Sequence, residues 1–187
     1  MKNFFYLFLG FCLYIPSFLI NAEIVIDGKL DEDEWQNARQ ISSFYEVFPY
    51  TLNPVEDIKT VILIQESSEG IFLGFKNYQS NESMRSQSHQ RDNERSIADK
   101  NGVTIDFDAD KLSGYQFFVS SSGSIGDATY SNENERSYDW DADWLSAAST
   151  EEGVWYSEMF IPWTVAPMKA QSGEQRKVRM AFYRMLA

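Results

Sequence analysis

Apolar and polar residues alternate along most of this chain, and the 3.6-residue spacing of an amphipathic helix is scarce. Alternation predicts strands at 23–26, 58–65, 71–78 and 103–107, then at 114–121, 124–130, 145–149, 154–161 and 178–186. Three pairs read as hairpins. The first turns through Glu66-Ser67-Ser68-Glu69-Gly70, the second at Ser122-Gly123 and the third at Glu151-Glu152-Gly153. Pro162 closes the strand before it, because proline cannot donate to a ladder. Residues 80–100 are polar and charged, and they read as one long loop, a length that in a compact domain points to function. Near the start stands Ile26-Asp27-Gly28-Lys29-Leu30-Asp31-Glu32-Asp33-Glu34-Trp35. In it the first strand turns at Gly28, Asp31 caps a short helical turn, and three acids occupy the first turn, where the helix dipole favours them. Many short strands separated by turn signals predict an all-β protein, an antiparallel β-sandwich with one short N-terminal helical turn.

Residues 1–22 carry Lys2, then an apolar run from Phe4 to Ile20, then Asn21 and Ala22. They read as a signal peptide cleaved after Ala22, with a retained anchor as the alternative. Export to the periplasm, the outer membrane or the medium follows from that reading. Cleavage removes Cys12, the only cysteine, which excludes disulfides, thiolate metal sites and cysteine catalysis from the mature chain. Residues 23–187 are enough for one domain with its own core. The chain holds 16 Lys+Arg against 28 Asp+Glu, a net charge of −12 that becomes −13 once Lys2 is gone. Such a field repels phosphate backbones and argues against a nucleic-acid partner. Aromatic residues make up 16% of the chain, which suits both a β-rich core and sugar stacking. The last predicted strand runs almost to Ala187 with no polar tail, so the expectation is a truncated chain or the first domain of a longer protein.

The opening decamer resembles the "IDGxLDExxW" start of family 9 carbohydrate-binding modules and of related domains at the N-terminus of bacterial envelope proteins. Later segments fit the same family in the same order: Arg91-Asp92, then Val103-Thr104-Ile105-Asp106-Phe107-Asp108, then Tyr115-Gln116-Phe117-Phe118-Val119 with Gly123 and Asp127. Trp140 and Trp144, Gly153-Val154-Trp155, Glu158, Ile161-Pro162-Trp163 and residues 180–184 complete the set. The resemblance implies a jelly-roll or immunoglobulin-like sandwich of the CBM9/DOMON kind. It implies an exported, non-catalytic module that recognises a saccharide or polysaccharide. In the envelope proteins the module precedes a larger C-terminal region, an outer-membrane barrel, so the alternative reading is an accessory domain that plugs or docks onto that partner. One departure stands out: where the family places a sugar-gripping aromatic, just before the strand at Val103, this chain has Ala98.

Sugar recognition needs exposed aromatic rings beside hydrogen-bonding side chains. Tyr138-Asp139-Trp140-Asp141-Ala142-Asp143-Trp144 offers that mixture, with Arg91, Asp92 and Gln116 as further candidate ligand contacts. The competing reading puts Trp140 and Trp144 in the core and makes Arg91-Asp92 a salt bridge that pins the long loop. Trp35, Trp155 and Trp163 sit in or beside predicted elements and read as core. The alternating acids Asp106, Asp108 and Asp110, and Asp139, Asp141 and Asp143, are the candidate metal ligands, for Ca2+, which related modules bind. Lys111 and Trp144 stand where an EF-hand loop needs glycine. His89, the only histidine, has no nucleophile motif around it, and abundant acids are no evidence for a glycosidase pair, so the expectation is a non-enzyme, with a glycoside hydrolase component as the last alternative.

Overall fold

The computed structural model describes residues 24–48, 50–54, 59–93, 95–132, 135–170 and 176–187. The leader at 1–22, and Glu23 and Ile58 of two predicted strands, lie outside the described residues. Two five-stranded antiparallel sheets pack face to face. The first contains β1 (Arg39–Ile41), β2 (Thr60–Glu66), β3 (Gly70–Tyr78), β8 (Leu145–Glu151) and β9 (Val154–Pro162) in the order β1-β2-β3-β9-β8. The second contains β4 (Lys100–Asp106), β5 (Ser113–Ser120), β6 (Ile125–Ser131), β7 (Glu135–Ser137) and β10 (Arg179–Met185) in the order β10-β4-β5-β6-β7.

Alternation builds the core between the sheets. Ile62, Ile71, Leu73, Phe75, Met159 and Ile161 face inward from the first sheet, and Val103, Ile105, Phe117 and Val119 from the second. The fold matches the predicted all-β sandwich. The three hairpins and the last strand form close to their predicted limits, whereas β4 starts at Lys100, earlier than the alternation indicated.

The N-terminal segment departs from its prediction. Residues 24–26 pair with no strand, and the helical turn is a 3-10 helix at Asp33–Asn37 preceded by an extended Glu32 with no side-chain cap, so Asp31 caps nothing. The Glu32 carboxylate instead accepts the Val25 N–H (3.0 Å) and the Trp35 indole N–H (3.1 Å), closing the segment on itself. The cause is tertiary. Ile24, Ile26, Leu30 and Trp35 bury themselves on Leu63, Phe72 and Phe160 of the first sheet's outer face, so the segment lies over the sheet as a strap. Its floor is Gly74, where an added Cβ would meet Leu30 Cδ2 at 2.5 Å.

The two lateral edges of the sandwich differ. Along one, residues 138–144 cross from β7 to β8. Along the other, β1 and β10 are the outermost strands and the sheets part to leave a cleft.

Candidate functional site

Most of the residues singled out in the sequence meet at the crossing segment. Trp144 is 6% exposed and packs edge-on against Phe117 (5.4 Å, 75°). Trp140 is half-buried against Tyr115 (5.1 Å) and Phe117 (5.9 Å). Beneath them Asp127, fully buried, accepts hydrogen bonds from the Trp144 indole (2.9 Å) and the Ala142 N–H (3.2 Å), and pairs with Arg91. Arg91 also donates to the Ala142 carbonyl (2.8 Å) and pairs with Asp141 (3.2 Å). Asp92 adopts a left-handed conformation (φ 60°), donates its N–H to the Ile125 carbonyl and accepts the Asp127 N–H (2.8 Å). The long loop thereby lies along the stretch of β6 that β7 does not cover. Burial raises the Asp92 carboxyl above its ordinary value, opposed by the Asp127 N–H bond.

This cluster seals an edge. Trp144 has no face open to a ligand, and Tyr138 lies under the Arg136 guanidinium (4.5 Å). Gln116 is not part of it. It stands opposite Thr104 and Ala128, on the face of the second sheet away from Tyr115 and Phe117, and is 7% exposed.

The acidic runs are occupied by protein groups. Asp106 accepts the Lys111 N–H (2.8 Å), Asp108 pairs with Arg176 (3.0 Å) and Asp110 pairs with Lys169 (2.5 Å), which holds its carboxyl below the usual range. Asp139 accepts the Ser137 hydroxyl (3.1 Å) and Asp141 pairs with Arg91, while Asp143 is exposed. Among the described residues no three His, Cys, Asp or Glu side chains gather where a metal ion could sit. These donor sets do not fit a calcium ion, which wants six or more converging oxygens. His89 donates Nδ1–H to the Gln90 carbonyl (2.9 Å), and no described side chain hydrogen-bonds its ring.

A concave site does exist, at the open lateral edge. The cleft measures about 900 Å³, in the upper range of ligand pockets. Its apolar wall comes from Ile41, Ile64, Met180, Phe182 and Trp163, and its rim from Asn37, Arg39, Gln65, Glu66, Ser67 and Arg176. Arg39 stands opposite Ile64 in the β1–β2 ladder, so its side chain leaves β1 on the core-facing side, and it forms no ion pair among the described residues. The Trp163 indole N–H donates to the Ser67 carbonyl (3.0 Å) and the Trp163 backbone N–H to that of Glu69, fixing the ring at the mouth of the β2–β3 hairpin. Arg176 is tied to Asp108 and to the Phe107 and Lys169 carbonyls. An apolar wall facing hydrogen-bonding side chains is suited to a ligand with one greasy face and several hydroxyls. Sequence reasoning missed this site. Trp163 read as core, and nothing marked Arg39, Gln65 or Asn37, which come together only through the strand order.

No protein-family model and no curated protein matches this chain. Solved structures do. Two structures of a carbohydrate binding module family 9 (CBM9) from Caldicellulosiruptor kristjanssonii, one in complex with cellotriose and one with glucose, superpose with TM-scores of 0.53 and 0.54. Each shares 12% identity and covers 86% of this chain, over 79% and 81% of the other. At that identity the likeness concerns the fold, and the sandwich is CBM9-like.

Proposed function

We propose that this domain is a non-catalytic saccharide-binding module and that the cleft between β1 and β10 holds a short stretch of glycan. The observation that carries the reading is the cleft itself, on a sandwich shared with structures that hold cellotriose and glucose. Trp163, Met180 and Phe182 offer the surface against which the apolar face of a pyranose rests, and Asn37, Arg39 and Ser67 supply donors and acceptors for its hydroxyls.

Titration with glucose, cellotriose and a panel of neutral and acidic oligosaccharides, followed by calorimetry and tryptophan emission, tests the proposal. A saturable response is expected for at least one glycan. Trp163→Ala should weaken it about tenfold or more, and Arg39→Gln severalfold, with the fold unchanged by circular dichroism. No binding across the panel, or binding indifferent to both substitutions, overturns it.

A further inference from the structure

The strap over the outer face of the first sheet is fastened at one polar point. Residues 24–26 pair with no strand, and among the described residues two side chains of the sheet bond the strap. The Ser149 hydroxyl donates to the Gly28 carbonyl (2.6 Å), and Glu158 Oε2 accepts the Asp27 and Gly28 N–H groups (3.0 and 2.8 Å). The rest of the hold is apolar, through Ile24, Ile26, Leu30 and Trp35. Glu158 itself is fully buried, its Oε1 has no partner, and no described Lys or Arg forms an ion pair with it.

The groups around Glu158 favour its neutral form. From the strap come Asp27, which Lys29 pairs (3.7 Å), and Glu32, with Asp31, Asp33 and Glu34 further along. From the sheet come Tyr156 and Lys76, stacked on each other (5.5 Å), and the uncharged Ala147 and Ser149 of β8. Two amides favour the anion, but burial, Glu32 and Asp27 outweigh them.

The strap also runs straight into the candidate cleft. Trp35, 5% exposed, anchors its end against Gly74, and the Ala38 N–H donates to the Trp35 carbonyl (3.2 Å). Asn37 and Arg39, both on the cleft rim, follow Trp35 directly, and Asn37 lies within about 7 Å of it along the chain. The strand that carries Arg39 is only three residues long, too short to hold its position without the strap.

We propose that protonated Glu158 latches the strap and so holds Asn37 and Arg39 in place at the cleft, and that its ionisation lifts the strap and weakens ligand binding while the sandwich stays folded. The proposal rests on the saccharide-binding reading of the cleft. Its sign follows from burial, which raises the carboxyl to about 7. Closure is therefore complete below about pH 4.5 and is lost as pH rises through 7.

Amide hydrogen exchange at pH 5.5 and pH 8, together with calorimetric titration of cellotriose, tests the proposal. Corrected for the intrinsic pH dependence of exchange, protection at Asp27, Gly28 and β1 is expected to fall tenfold or more between the two, with the β4–β5 ladder unchanged. Cellotriose affinity should fall severalfold over the same range. Glu158→Gln, which keeps an acceptor for both amides and does not ionise, should abolish both changes. Gly28→Ala, whose Cβ would stand 2.8 Å from the Ala148 carbonyl carbon, should leave the strap open at both pH values with the ladder intact. Protection that ignores pH, a fall that persists in Glu158→Gln, or a strap that opens without β1 overturns the proposal. So does a cellotriose affinity that stays level as the strap opens, or a Gly28→Ala chain whose ladder loses protection too. Should cellotriose not bind at either pH, the saccharide-binding reading is what fails, and exchange at β1 still decides the latch.

Discussion

Glu158 shows how a single residue was half legible. In β9 it sits on the outer side of the first sheet, opposite Gly74, yet the strap covers it completely. Its Oε2 accepts the N–H groups of Asp27 (3.0 Å) and Gly28 (2.8 Å), while Oε1 is buried with no partner among the described residues. Gly28 is needed there, with φ +89° and an added Cβ only 2.8 Å from the Ala148 carbonyl carbon. The Gly28 turn was readable from the residues, and Glu158 stood out only as part of the family resemblance. A bond across 130 positions was not readable, because no local pattern encodes it. Burial raises the Glu158 carboxyl to about 7, opposed by the two amides and reinforced by Glu32 and Asp27. A folded pKa above the unfolded value means the native state holds the proton more tightly. Stability is therefore full below about pH 4.5 and falls as pH rises through 7, by up to about 3 kcal/mol. The unfolding midpoint should drop by several degrees between pH 5 and pH 8. In Glu158→Gln, which keeps an acceptor for both amides, that slope should largely vanish; an unchanged slope in the variant rules Glu158 out as its source.

Elements were readable in proportion to how local their bonding is. The hairpins β2–β3, β5–β6 and β8–β9 pair residues close in sequence around polar or glycine turns, and all three formed where alternation placed them. The three-residue strands β1 and β7 gave no signal, since their ladders are defined by β2 and β6 and their own sequences, Arg-Gln-Ile and Glu-Arg-Ser, are mostly polar. The crossing segment 138–144 falls between these cases. Its two tryptophans were visible and their ambiguity was real, but what decides it is Asp127, whose carboxylate gathers Arg91, Ala142 and Trp144 from segments far apart. Asp127→Asn puts an amide N–H where one of those three donors needs an acceptor, and leaves Arg91 without its buried partner. A loss of about 3 kcal/mol in denaturant unfolding is expected, with tryptophan emission shifted to the red as Trp140 and Trp144 meet water. A loss below about 1 kcal/mol refutes the view that Asp127 locks this edge.

For the whole molecule, alternation revealed the sandwich, whereas strand order decides what opens to solvent. The cleft draws on residues from 37 to 182 and exists because β1 and β10 end their sheets side by side. That arrangement has no sequence signature, since a Trp163 at a cleft and one in the core are the same letter. Net charge, by contrast, was exact from the start: −12 at pH 7 with an isoelectric point near 4.5, a property of composition that no arrangement of strands alters.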